Sequence, residues 1–133
     1  MANYYATWRS NYFKVKDPEA FKKEMAEISD IEVIEGNNTG HWAILGKNPD
    51  GAGIPCFNTA TNEEIDLPQV ISSHLVDGEV AVLMEVGSEK MRYLVGVAFA
   101  VNSRGKTRQV VLQDIYDKAK KLAPGKPITR VEY

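Results

Sequence analysis

Between Glu79 and Val111 the chain alternates apolar and small or polar residues in two long runs broken by glycine-containing segments. Alternation with a period of two is the signature of strands, because successive side chains leave opposite faces of the backbone. Val80, Val82, Met84 and Val86 fall on one side of the first run, and Ala81, Leu83 and Glu85 on the other. Both sides are largely apolar, which predicts a central strand covered on part of both faces. The next run, Met91 to Asn102, alternates by size. Met91, Tyr93, Val95, Val97, Phe99 and Val101 form a bulky side; Arg92, Leu94, Gly96, Ala98 and Ala100 form one of mostly small side chains. Small residues let a helix sit close, so the helical layer is expected on the Gly96 side. Turns are expected at Gly87–Lys90 and at Ser103-Arg104-Gly105, making residues 79–111 a three-strand meander.

The flanking pattern adds layers to this meander. Ser10 to Val15 reads as a first strand. Asp17-Pro18 is a helix start, Asp as N-cap and Pro at the first helical position. Phe21, Met25 and Ile28 then recur at helical spacing, and the helix is expected to end near Ser29. Ile31–Ile34 and His41–Leu45, separated by Gly36-Asn-Asn-Thr-Gly40, form a hairpin. Residues 46–64 are the least regular part, with a short edge strand expected at Ile54–Asn58. Asp66-Leu-Pro68 opens a second helix whose core residues are Val70, Ile71, His74 and Leu75. A third helix is expected from Gln113 to Ala123, burying Leu112, Ile115, Tyr116, Ala119 and Leu122. A terminal strand is expected at Ile128–Tyr133. The expected fold is a single α+β domain: a mostly antiparallel sheet of about six strands with three helices largely on one face.

Composition narrows the class. At 133 residues, with 44% hydrophobic and 26% charged residues, the chain has the balance of a soluble globular domain. No apolar run reaches the length of a membrane span, and the N-terminus lacks a signal pattern. The single cysteine, Cys56, excludes a disulfide framework and a Cys-rich metal site, so the expected compartment is the cytoplasm. The net charge of −2 is unevenly spread. Residues 1–87 carry 6 Lys/Arg against 14 Asp/Glu, and residues 88–133 carry 10 against 4. The basic half places Lys90, Arg92, Arg104, Lys106 and Arg108 around the two hairpin turns. These are the candidate nucleic-acid contacts, although an acidic first half and the lack of an RRM, KH or helix-turn-helix pattern weigh against that use.

Catalytic signals are weak. His41 and His74 have no neighbours at metal-ligand spacing, so neither a metal nor a cofactor is expected. Cys56, between Pro55 and Phe57, reads as a packing residue rather than a nucleophile. Gly40 to Lys47 superficially resembles a phosphate loop but has the wrong spacing and Asn48 in place of Ser or Thr. Glu85 is an acid inside a central strand: either a cleft acid or, as preferred, the cross-strand partner of Arg92. An enzyme would require at least two of His41, Cys56 and Glu85 in one pocket. The aromatic N-terminal segment, Tyr4, Tyr5 and Trp8, together with Trp42, supplies the candidate protein-binding residues if exposed, and sheet padding if not.

Four stretches carry a resemblance across nearly the whole chain: Arg9-Ser-Asn-Tyr-Phe-Lys-Val-Lys-Asp17, Asp77-Gly-Glu-Val-Ala-Val-Leu-Met-Glu-Val-Gly87, Arg92-Tyr-Leu-Val-Gly96 and Asp114-Ile-Tyr116. As a set they resemble small accessory proteins carried on bacterial plasmids, phages and integrated elements. The resemblance implies a non-enzymatic module that binds a host or element-encoded protein, in the manner of anti-restriction and anti-CRISPR inhibitors of host defence. It carries over no catalytic residue. A nucleic-acid-binding accessory protein and a small enzyme are the alternatives, and both monomer and homodimer are compatible with the pattern.

Overall fold

A computed structural model describes residues 4–37, 40–48, 51–89 and 93–131. The protein is α+β, with a mostly antiparallel sheet and three helices. Its strands are β1 (Tyr4–Ser10), β2 (Phe13–Lys14), β3 (Ile31–Glu35), β4 (His41–Gly46), β5 (Phe57–Asn58), β6 (Glu63–Glu64), β7 (Val80–Glu89), β8 (Tyr93–Asn102) and β9 (Thr107–Val111). The helices are α1 (Pro18–Ala26), α2 (Leu67–His74) and α3 (Ile115–Lys120), the last preceded by a single 3-10 turn, Leu112–Asp114. The main sheet runs β2-β4-β1-β7-β8-β9, with β3 on the other side of β4. β5 and β6 form a separate two-stranded ribbon.

The expected meander is the centre of this sheet. β7 and β8 pair in register from Val80↔Asn102 to Glu89↔Tyr93, and β9 pairs with β8 from Val101↔Thr107 to Val97↔Val111. β7 therefore runs past the expected turn at Gly87, because β1 pairs along its other edge from Ser10↔Leu83 to Tyr4↔Glu89. Gly87 is needed at that crossing: a Cβ there would stand 2.6 Å from the Tyr4 Oη and 2.7 Å from the Tyr5 carbonyl oxygen. The expected partnership of Glu85 with Arg92 is not one of register, since the residue opposite Glu85 is Val97. Lys90, Met91 and Arg92 lie outside the described residues.

β1 and β2 together run along β4, interrupted at Ser10–Tyr12. Ser10 bridges the interruption: its Oγ accepts from the Ile44 amide at 2.9 Å and donates to the Asn11 carbonyl at 2.8 Å. The buried Ile44 amide at the break thus finds a partner. Asn11 continues the pairing with β7 through its side chain, accepting from the Val82 amide and donating to the Val80 carbonyl.

Both longer helices start where the sequence marks them. The Asp17 carboxylate accepts from the amides of Glu19 and Ala20, and that of Asp66 from the amide of Gln69. Phe21, Met25 and Ile28 from α1 and its C-terminal extension, with Leu67 and Ile71 from α2, enter one core with Trp8, Phe13, Ile44, Leu83 and Val101. His74 links the two helices, its Nε2 lying 2.5 Å from the Glu24 Oε1 and its ring edge-on to Phe21.

Three expectations fail here for identifiable reasons. First, α1 and α2 pack on the Leu83/Val101 side of the meander, not on the Gly96/Ala98/Ala100 side. The large residues offer more area to a helix than the small ones do. Second, α3 is shorter than expected and buries none of its residues; Leu122 is 88% exposed. The chain leaves the sheet at its edge strand, and Leu112 reaches back, where its Cγ would lie 2.8 Å from a Cβ at Gly96. Third, residues 128–131 are not a strand. They fold onto α3, where the Tyr116 Oη accepts from the Val131 amide at 2.7 Å and Arg130 stacks over the Tyr116 ring. The remaining two residues of the expected terminal strand lie outside the described ones.

Candidate functional site

The two faces of the β1-β7-β8-β9 sheet end up in different environments. The inner face carries Ala81, Leu83 and Val101 under α2. The outer face carries Val80, Val82, Met84 and Val86 from β7, opposite Asn102, Ala100, Ala98 and Gly96 of β8. It continues to Arg108 and Val110 on β9 and to Thr7 and Arg9 on β1. No helix is laid along it among the described residues. Met84 and Val86 are each 58% exposed, and Val80, Leu94, Val110 and Leu112 are similarly open. The face is a shallow trough, with small side chains along β8 between larger ones on β7 and β9. At the strand positions of β1, β7, β8 and β9 that face this way, the described charged residues are Arg9 and Arg108, both cationic.

The aromatic candidates divide differently from expectation. Trp8 is 3% exposed and Trp42 is also buried, so both are core residues rather than a binding patch. Trp8 lies over Gly46, where a Cβ would stand 2.7 Å from its Nε1, and Lys22 caps the Trp42 ring at 4.5 Å. Alternation along β1 places Tyr4, Ala6, Trp8 and Ser10 on the inner face. Tyr5 alone of the four candidates is exposed on the outer face.

On the inner face, beyond the end of α2, lies a cavity of about 540 Å³. Its floor includes Glu85, Val97 and Phe99, and its walls include Ile54, Cys56 and Leu67. Glu85 is held by two distant groups: Tyr4 Oη donates to its Oε2 at 2.7 Å and the Ile54 amide to its Oε1 at 2.6 Å. Gly53, at φ +99°, makes room for this, since a Cβ there would meet the carboxylate at 2.5 Å. Burial, then the hydrogen bond to Glu85, then the nearby negative charge push the Tyr4 hydroxyl well above the ordinary tyrosine range. The segment that read as irregular is pinned at further points. Ala6 donates to the Gly51 carbonyl, Thr59 and Ala60 to that of Glu27, and Ile65 to that of Cys56.

Cys56 and Glu85 therefore share a cavity, whereas His41 lines a separate depression with Tyr12, Gly36 and Asn37. His74 is engaged with Glu24 between the helices. Neither histidine stands in the cavity as a base for Cys56. Among the described residues, no three His, Cys, Asp or Glu side chains come together as a metal-ligand set. Of the basic candidates, Arg104 and Lys106 flank the β8–β9 turn, where their amides donate to the Asn102 Oδ1. Arg108 lies on the outer face, and Lys90 and Arg92 lie outside the described residues. Among the described residues, no helix is long and apolar enough to cross a membrane.

The fold and its two candidate surfaces define an α+β protein with an uncovered sheet face. No family model, no curated protein and no solved structure matches the chain.

Proposed function

We propose that the protein is a non-enzymatic binding module that docks a protein partner on the outer face of the β1-β7-β8-β9 sheet. One observation carries this reading: Val80, Met84, Val86, Leu94 and Val110 are exposed on one continuous face. Together with Leu112 they form a contiguous apolar patch of the kind that marks an interaction site. Antiparallel sheets with a solvated face normally alternate apolar with polar residues, and β7 does not. The partner is a segment with an apolar stripe bordered by acidic side chains. The trough along Ala98 and Ala100 accepts a helix closely, and Arg9 and Arg108 attract its charges. A second copy of the chain would set cation against cation across this acid-poor face. The resemblance to accessory proteins of mobile elements supports a host or element-encoded protein as the partner, with inhibition of a host defence enzyme as the role.

The test is an affinity capture from bacterial host lysate at low and high salt, with and without nuclease. It compares the wild-type protein with Met84→Glu/Val110→Glu and with Arg104→Glu. A protein retained through nuclease and high salt, lost with the sheet-face variant and kept with Arg104→Glu, is the expected outcome. Retention by the sheet-face variant would sink the proposal. Nucleic acid recovered only at low salt, and lost with Arg104→Glu, would replace it with the second reading, in which the hairpin cations bind phosphates. Met84 and Val110 are exposed, so substitution there leaves the core intact.

A further inference from the structure

We propose that the inner-face cavity is a binding site for a small organic cation with a flat apolar body, a ligand class typified by an aryl amidine or an aryl amine. This site is independent of the outer face, from which the sheet itself separates it. The cavity exists because α2 covers only part of the inner face. Its helix crosses Ala81, Leu83 and Val101, and the inward residues beyond it, Glu85 and Val97 in one cross-strand row and Phe99 and Gln109 in the row before it, line the cavity with the 54–56 segment. A volume of about 540 Å³ is within the range of small-molecule sites.

The chemistry of the lining selects the ligand. Ile54, Leu67, Val97 and Phe99 supply apolar walls, which suit a ring. The polar groups are Glu85, Asp66, Thr107 and Gln109, and no Lys, Arg or His is among the described lining residues. Two carboxylates without a cationic counterpart among the described lining residues set a negative field over the apolar floor. Glu85 is fixed in position by Tyr4 and Ile54. Each of its oxygens takes one of these hydrogen bonds, and a carboxylate oxygen has two lone-pair sites, so one acceptor direction remains on each. That is the pattern a planar, bidentate donor such as an amidinium meets without reorganising the protein. Asp66 contributes less to the field at the ligand, because its carboxylate also caps α2.

The experiment is a titration of the isotopically labelled protein with benzamidine, benzamide and benzoate, followed by amide chemical shifts. The three probes share a ring and differ in charge. Saturable shifts centred on Ile54, Phe99 and Gln109 with benzamidine, at least tenfold weaker with benzamide and absent with benzoate, are the expected result. Glu85→Gln is nearly isosteric, and its amide oxygen still accepts from Ile54. It is expected to weaken benzamidine binding tenfold or more while the remaining spectrum stays that of a folded protein. If Glu85→Gln loosens the loop, Gln109→Leu offers a second variant, expected to weaken binding severalfold by removing a lining acceptor. A lack of saturable shifts with benzamidine, equal binding of benzoate, or undiminished binding by folded Glu85→Gln would each overturn the site.

Discussion

The strands β7 and β8 present two faces built from the same backbone, and the faces have opposite fates. On the inner side, Leu83 and Val101 are sealed under α2 and share a core with Trp8 and Ile44. One residue along, Met84 and Ala100 look outward, and Met84 remains more than half exposed. Hydrophobicity does not separate the two, since Val80, Val82, Met84 and Val86 are as apolar as anything in the core. What separates them is the supply of covering elements. α1 and α2 are anchored by caps at Asp17 and Asp66, and both go to the inner side. The 3-10 turn before α3 leaves from the edge strand and touches the outer side through Leu112. An apolar face is thus a demand for a partner, and this chain meets one of its two demands internally.

The sharpest way to break the comparison is to truncate matched residues on the two faces. Leu83→Ala is expected to cost about 2–5 kcal/mol, because the side chain is fully buried and its loss leaves a cavity. Met84→Ala, next in sequence, is expected to change stability by no more than about 0.5 kcal/mol. Urea denaturation of the two variants measures both. Similar losses would mean that the outer face is covered within the isolated protein, which would remove the basis for a docking surface.

A backbone test comes next in size. Gly87→Ala is expected to destabilise by about 1–3 kcal/mol, since the new methyl meets a Tyr5 carbonyl oxygen of the adjacent strand as well as the Tyr4 ring. The same melts would show a neutral change if β1 were not closely paired with β7 at this point.

The inner cavity gives a pH-dependent prediction. Tyr4 is held neutral by burial and by the Glu85 carboxylate, so its hydroxyl loses its proton less readily in the folded state than in the unfolded one. The unfolded chain therefore releases the proton first as pH rises. The stability contribution is complete below the unfolded tyrosine value of about 10 and is lost progressively above it. Denaturation midpoints measured between pH 8 and 11 should fall faster for the wild type than for Tyr4→Phe. Equal slopes would show that the Tyr4–Glu85 contact does not persist in solution.

How far these features were legible depends on the distance over which each is decided. The meander, the two N-caps and the β3–β4 hairpin follow from neighbours within a few residues, and alternation correctly put Glu85 on the same side as Leu83. The choice of face for the helices was not local. Both sides of β7 are apolar, and the small residues of β8 looked like a helix seat that α1 and α2 did not take. The tryptophans show a signal present but under-used. Trp8 lies between Thr7 and Arg9, and that alternation already points it inward, whereas counting aromatics made it a surface candidate. The partners of Glu85 were beyond reach: Tyr4 is 81 residues away and Ile54 is 31. Nothing in the period of either segment indicates that they converge, so the groups that hold the carboxylate could not be read before the fold was known, although Glu85 itself was legible as a possible cleft acid.

The smallest effect concerns the contact of Leu112, at the start of the C-terminal segment, with the outer face. Glycine in a strand costs about 0.5–1 kcal/mol relative to alanine through backbone entropy, so Gly96→Ala should be favourable unless the added methyl has no room. Here it meets the Leu112 side chain at 2.8–3.3 Å. That obstacle is the end of a half-exposed side chain rather than backbone, and it is able to turn away at the loss of its contact with β8. Gly96→Ala alone is therefore expected to be close to neutral, the entropy gain offset by displacement of Leu112. In a Leu112→Ala background the clash is gone, and the same substitution should stabilise by roughly 0.5 kcal/mol. The difference between the two backgrounds, read from a double-mutant cycle, measures how firmly the last segment is seated on the open face. Identical effects of Gly96→Ala in both would mean that Leu112 does not rest on β8, and that the trough along β8 is open over its whole described length.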